Sequence, residues 1–342
     1  MLLRGYFEVL RLTIQFQEYK SKTDFIINHP WRLLLLAFFK IFRRFHNYLN
    51  RGAISKLVVS NKPTGLYNDD LFLGLKKEND SYRFLIEDVN CTSGDLQDTI
   101  CTTQLRLNTK NSKVVFIHAF YHEEAAYIYD KLKDFTDYDI VITSPHCEII
   151  EEAKKRFSTE RVLGFITPNH GRDVMPFLMS LKFIELNNYS HFVKLHTKKS
   201  KHLRDKGRWF KLNVEFLIGN KGITDKIFSL MPDDGPKIFG ESVLEISDHL
   251  ENNIHWLSYL LGDDPMQAHS KFIPGTMFLG TGNFLKLVKA MNLHRHKIEK
   301  EAGQLDGCCV HALERYFGYL ATKHSGCCES LENFVKDEET VK

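Results

Sequence analysis

Between residues 113 and 198 the chain alternates short, continuously apolar runs with amphipathic stretches, and this limits the fold more than any other feature. Val114-Val115-Phe116-Ile117 reads as a buried strand running into His118-Ala119-Phe120-Tyr121. A helix is predicted over 123–135, a strand over 139–144 closed by Pro145, a helix over 147–157 and a third strand over 162–166. The turn Asn169-His170-Gly171-Arg172-Asp173 follows, with Gly171 free to take positive φ and Asp173 placed as an N-cap. Val174, Phe177, Leu178, Leu181 and Ile184 then fall at helical spacing, which predicts one buried helix face, and 191–195 reads as the next strand. Such βαβα order with continuous apolar strands predicts a parallel sheet covered on both faces.

In open sheets of this kind ligands bind beyond the carboxyl ends of the strands. Here those ends carry Phe120-Tyr121, Thr143-Ser144, residues 169–173 and His196-Thr197-Lys198-Lys199. The stretch 191–211 holds eight Lys or Arg against one acid, Asp205. An isolated cationic loop is ordinarily a solvated turn. At a strand tip, in the same half-sheet as Arg172, it points to an anion, phosphate first.

The second half is less regular. Helices are predicted over 208–217, 223–230 and 249–261, with strands over 237–239 and 272–280. Leu305-Asp306-Gly307 opens a last helix, with Asp306 expected at its N-cap, and the acidic tail 329–342 is expected to fray.

Residues 1–59 differ from the rest. The uncharged run 33–39 is far shorter than the roughly 20 residues of a membrane span, and the flanking pattern is not that of a signal peptide. Two readings stand for 31–44: an interfacial helix on an anionic membrane face, with Trp31, Phe38 and Phe42 inserted, or a helix packed on the main domain. Residues 60–111 read as a connector or edge strands, and 112–328 as the main domain.

A net charge of +3 does not argue for nucleic-acid binding, and no GxxxxGK[ST] loop supports a nucleotide hydrolase. Seven cysteines, an odd number without CxxC spacing, suit reduced thiols in a cytoplasmic setting. A zinc site from Cys308, His311, Cys327 and Cys328 is one reading of them; buried structural thiols is the other.

The motifs Asn169-His170-Gly171-Arg172-Asp173-Val174, Lys194-Leu195-His196-Thr197-Lys198-Lys199-Ser200, Gly275-Thr276-Met277-Phe278 and Leu305-Asp306-Gly307 with His311-Ala312-Leu313-Glu314-Arg315 resemble, in that order, rhamnan synthesis protein F. The resemblance is drawn over 112–322 and leaves the N-terminal 110 residues outside. It implies an inverting glycosyltransferase of bacterial cell-surface polysaccharide synthesis with a GT-A-like α/β fold. The donor implied is a nucleotide-sugar such as dTDP-rhamnose, the acceptor a lipid-linked glycan, and the location cytoplasmic or peripheral on the inner membrane face. The site residues it implies are Asp306 as base with Glu314 second, and Phe120, Tyr121, Thr143, Asn169, Gly171, Arg172, Asp173, His196, Lys198 and Lys199 toward donor and phosphate. Gly275, Met277 and His311 fall on the acceptor side. Asp173 has a second reading as a plain N-cap, and His196 as a metal ligand, a phosphate contact or a core histidine. His196-Thr197-Lys198 stands where GT-A enzymes carry Asp-x-Asp, so no metal cofactor is expected and Lys198, Lys199 and Arg172 are expected to meet the phosphate charge instead.

A non-catalytic nucleotide-sugar- or glycan-binding member of a polysaccharide assembly complex, keeping the fold as a binding module, is the competing class.

Overall fold

A computed structural model describes residues 72–78, 80–86, 99–100, 105–107, 109–199, 207–249, 251–262, 270–291, 293, 298 and 306–340. The segment 31–44 lies outside these residues, as do Asp69-Asp70 and Asp263-Asp264, two acidic pairs whose spacing could serve a displaced metal motif. Among the described residues no helix is long and apolar enough to cross a membrane.

The repeat that begins at 113 folds as β4 (Lys113–His118), α1 (His122–Leu132), β5 (Tyr138–Ser144), α2 (Cys147–Arg156), β6 (Val162–Ile166), α3 (Val174–Phe183) and β7 (His191–His196). Before it come β1 (Phe72–Glu78), β2 (Ser81–Ile86) and β3 (Thr99–Ile100). After it come α4 (Arg208–Ile218), α5 (Lys221–Leu230), β8 (Lys237–Gly240), β9 (Leu244–Glu245), α6 (Ile254–Leu261), β10 (Lys271–Phe272), β11 (Phe278–Thr281), α7 (Gly282–Ala290), α8 (Cys309–Lys323), β12 (Cys327–Ser330) and α9 (Leu331–Thr340).

Ten strands form one sheet in the order β12-β8-β11-β7-β4-β5-β6-β2-β1-β3. The centre, β7-β4-β5-β6-β2, is parallel, while β11 runs antiparallel to both β7 and β8, and β1 antiparallel to β2 and β3. The fold is thus mixed α/β with a mostly parallel central sheet. Chain order advances from β4 to β6 on one side and returns to β7 on the other. The switch point therefore lies between the carboxyl ends of β4 and β7, where such sheets open a crevice.

Strand alternation sorts the core into two layers. Val114, Phe116 and Phe192 join α3, α6, α7 and α8 on one face, while Val115, Ile117, Val193 and Leu195 join α1, α2, α4, α5 and α9 on the other. Helix α3 departs from the one-face expectation: nine of its ten residues are buried, all but Lys182. It is enclosed by the sheet on one side and by α7 and α8 on the other.

Three further expectations are corrected. The stretch 272–280 is not one strand: Gly275 and Thr276, both at positive φ, separate β10 from β11. The tail forms α9, anchored by buried Leu331 and Val335, instead of fraying. Helix α8 is capped by Cys308 and not by Asp306, because the chain still has to turn through Gly307 at φ 86° after the acid.

Candidate active site

β7 reads His191-Phe192-Val193-Lys194-Leu195-His196, so Phe192, Lys194 and His196 project into one layer. Lys194 is only 1% exposed. A buried ammonium must be paired and hydrogen-bonded to be tolerated. Its Nζ donates to Asp173 Oδ2 at 2.5 Å, Thr276 O at 2.9 Å and Thr276 Oγ1 at 3.2 Å. Phe177 and Phe278 lie under the ammonium at 5.3 and 5.8 Å. Asp173 does begin α3, but its carboxylate makes no capping bond; it faces Lys194 and accepts from Thr276 Oγ1. Burial pushes that carboxyl up, yet His196 and Lys194 overcome it and hold Asp173 well below the usual carboxylate range. The plain-cap reading is therefore corrected: the side chain is spent on a buried ion pair.

The antiparallel register of β11 on β7 sets Phe278 opposite Lys194 and brings the 275–276 turn to the same sheet edge. His196 Nε2 donates to Gly275 O at 2.7 Å, and Glu314 accepts from Gly275 N. A Cβ at Gly275 would stand 2.1 Å from Trp209, whose ring also carries the Lys198 ammonium at 4.6 Å. Burial raises the Glu314 carboxyl against the opposing pull of Arg315.

Next to this lies a second cluster. Arg172 Nη1 is 2.6 Å from His311 Nε2. A guanidinium has no acceptor, so Nε2 accepts and the ring proton sits on Nδ1. That proton faces Cys308 Sγ at 2.9 Å, with Asp306 Oδ1 3.7 Å away. The 3.4 Å approach of Cys308 N to the same Nδ1 is the weaker contact and does not form with the proton in place. Burial, then Arg172, keeps His311 neutral down to about 4, with Asp306 resisting and Arg315 and Lys198 adding to the fall. Lys198 thus acts on the same group as Arg172. Asp306, its side chain 36% exposed, accepts from Asn253 Nδ2 at 2.9 and 3.0 Å and lies 3.5 Å from Arg315 Nη2.

At the switch point Thr197 Oγ1 accepts from Phe120 N at 2.8 Å and Tyr121 N at 3.2 Å, which knits the two strand tips together. The Phe120 ring meets Tyr121 and His146 edge-on. Lys199 covers Tyr121 at 5.2 Å and pairs with Glu123 and Glu124. Asn169 is exposed beyond the tip of β6.

Two expected site residues are buried beneath the surface of the site. Thr143 is buried with its hydroxyl 3.0 Å from His118 Nδ1. Met277 is fully buried in the layer of α1 and α4, since it alternates with Phe278 across the sheet. The cavity beneath His118, Thr143, Asp173 and Lys194 holds about 10 Å³, room for one water, so a ligand must sit outside these buried groups. Among the described residues no three His, Cys, Asp or Glu converge as a metal would need, and no disulfide joins Cys147, Cys308, Cys309, Cys327 or Cys328. Lys194, Thr276, Asn253 and Arg315 were not singled out from sequence, although a lysine inside Phe-Val-Lys-Leu is itself a signal of a buried pair.

No solved structure matches the chain. Two curated relatives, both described as uncharacterized protein WxcX, come from two strains of Xanthomonas campestris pv. campestris. Each is 32% identical over 224 residues, covering 63% of this chain and 32% of the relative. The chain therefore spans about a third of the length of these relatives. The family match runs over residues 13–234. It takes in most of the N-terminal segment that the motif resemblance left out, and it ends before the Gly275 and Asp306 motifs. With more than half of its 342 residues matched, the chain belongs to the rhamnan synthesis protein F family.

Proposed function

We propose that this protein is an inverting glycosyltransferase of polysaccharide synthesis, with a GT-A-like fold and Asp306 as its base. The observation that carries the reading is that one imidazole, His311, separates the Arg172 guanidinium from the Asp306 carboxylate at the sheet edge. Sugar transfer needs a cation where the leaving phosphate gains charge and a carboxylate where the acceptor loses a proton. In the step proposed, the acceptor hydroxyl gives its proton to Asp306 and its oxygen bonds to the sugar's anomeric carbon. The bond from that carbon to the phosphate oxygen breaks, and the nucleoside diphosphate leaves against Arg172 and Lys198. The donor is a nucleotide-activated deoxyhexose such as dTDP-rhamnose, and the acceptor a lipid-linked glycan at the inner membrane face.

Asn253 holds Asp306 by a hydrogen bond, and the Arg315 guanidinium lies 3.5 Å from the same carboxylate, so an acceptor hydroxyl would have to compete with both for its oxygens. That contact favours the second reading, a binding module without turnover. A thermal-shift screen of nucleotide-sugars, followed by a transfer assay with the stabilising donor and a lipid-linked acceptor, separates the two. Stabilisation with transfer supports the enzyme, stabilisation without transfer the module, and no stabilisation by any nucleotide-sugar overturns the enzyme and any nucleotide-sugar-binding module, leaving a glycan-binding one.

A further inference from the structure

Two turns at the cleft hold non-glycine residues in the left-handed region: Arg172 at φ 52° after Gly171 at 68°, and Thr276 at 54° after Gly275 at 82°. For a β-branched residue this is an outlier, and such strain persists only where the surroundings over-determine it. One ammonium supplies much of that constraint. Lys194 reaches Asp173 in the first turn and both oxygens of Thr276 in the second, and Thr276 Oγ1 closes the triangle onto Asp173 Oδ2. The second turn is fastened again through Gly275, its carbonyl by His196 and its N–H by Glu314.

Lys194 and Asp173 are buried, and the cavity beside them admits no more than a water. A buried ion pair is also a poor source of stability compared with apolar packing. We propose that Lys194 and Asp173 are positioning residues. Their pair ties the 171–173 turn to the 275–276 turn and holds the Arg172 guanidinium on His311 before any anion arrives. Asp173 then acts through Arg172 and touches no ribose or base. The lock concerns the fold alone; its consequence for anion affinity rests on the cleft being a nucleoside-diphosphate site.

The test uses the full chain and the imidazole ¹⁵N NMR signals of His311, identified by their loss in His311→Gln. In the wild type the Arg172 contact should keep His311 as the Nδ1–H tautomer, unprotonated down to about pH 4. The double variant D173N/K194M removes both charges together and leaves neither buried alone. With circular dichroism and cooperative unfolding retained, His311 should show mixed tautomers and titrate closer to 6.5. Affinity for inorganic pyrophosphate should drop about 10- to 100-fold. A folded double variant with the wild-type His311 signature overturns the proposal, because a merely structural pair would leave it unmoved. Should that variant not fold, Thr276→Gly relieves the backbone strain while deleting the hydroxyl ties. It should move His311 in the same direction by less, and an unchanged signal there is equally fatal. If the wild type ignores pyrophosphate while His311 responds as expected, the nucleotide reading fails and the lock stands.

Discussion

Arg172 Nη1 lies 2.6 Å from His311 Nε2, a cation donating to a ring that burial keeps neutral. The contact fixes which ring nitrogen carries the proton, and so which edge of His311 faces Asp306. Arg172 belongs to the strained turn after β6 and His311 to the first turn of α8. Their meeting joins a family-matched segment to a segment beyond the match.

Asp306→Asn should retain the fold, since the amide oxygen still accepts from Asn253. If Asp306 is the base, transfer should fall by at least about 100-fold while donor binding changes little. A transfer assay beside a donor thermal shift checks both at once. Near-normal transfer would move the role to another group, and Glu314, engaged at Gly275 N, is the next to substitute.

Gly275→Ala should destabilise far more than Gly207→Ala. Both glycines have positive φ, at 82° and 83°, but the new methyl meets the Trp209 ring at Gly275 and open space at Gly207. The backbone term alone is about 1–2 kcal/mol. Overpacking against a half-buried indole adds about 1–3 kcal/mol at Gly275 only. Urea midpoints of the two variants measure the difference, and equal midpoints would mean that Trp209 moves aside freely.

Stability should decline on the acid side from pH 6.5 downward. His118, held by burial at about 3, and His311, at about 4, both lie below the ordinary 6.5. The unfolded chain therefore takes up these protons first, and the native state loses stability as pH falls from 6.5 toward 3. Asp173 adds a loss below 3.8, its unfolded value, because its folded carboxyl is depressed. Glu314, raised by burial, works in the opposite sense and softens the decline. Denaturant unfolding at pH 7, 5.5 and 4.5 should give steadily lower midpoints, and His118→Gln should flatten the slope. A midpoint independent of pH would mean these histidines are not held neutral.

The parallel half of the sheet was legible in the sequence because its strands are continuous apolar runs; β6 lies at the very bounds read for it, Val162–Ile166. Lys194 was present in a quoted motif but was passed over, since a charge in a strand reads as solvent-facing until Phe192 and His196 on the same face are known to be buried. Asn253 carried no local signal, and Arg315 stood in a quoted motif without a role toward Asp306. They reach Asp306 from α6's entry and from α8, and only tertiary packing sets them there. Asp306 itself was found by motif, and its expected cap failed because the intervening turn gives the cap to Cys308.

The last prediction concerns metal. A divalent ion commonly enters a phosphate site through one or two carboxylates plus the substrate's own oxygens. Among the described residues, three acids spaced to do this are otherwise engaged. Asp139 accepts from Thr109, Asn111 and Tyr189, and Asp137 is bound by Lys113 and Lys221, all near the start of β5 and away from the cleft. Asp234 pairs with Lys237 in a surface turn. At the cleft the tip of β7 offers Lys198, seated on Trp209 and close enough to bear on His311. If the donor phosphates bind there, an ammonium in that place would repel a metal ion and meet the same phosphate charge. Donor binding should therefore persist in EDTA, and Lys198→Ala should weaken it by about 2–4 kcal/mol, the range for losing a charge-stabilising contact. Calorimetry of the nucleotide-sugar with and without chelator reads both effects. Binding lost on chelation and restored by Mn²⁺ or Mg²⁺ would overturn this assignment and direct attention to Asp306, which is more exposed than Asp173 or Glu314.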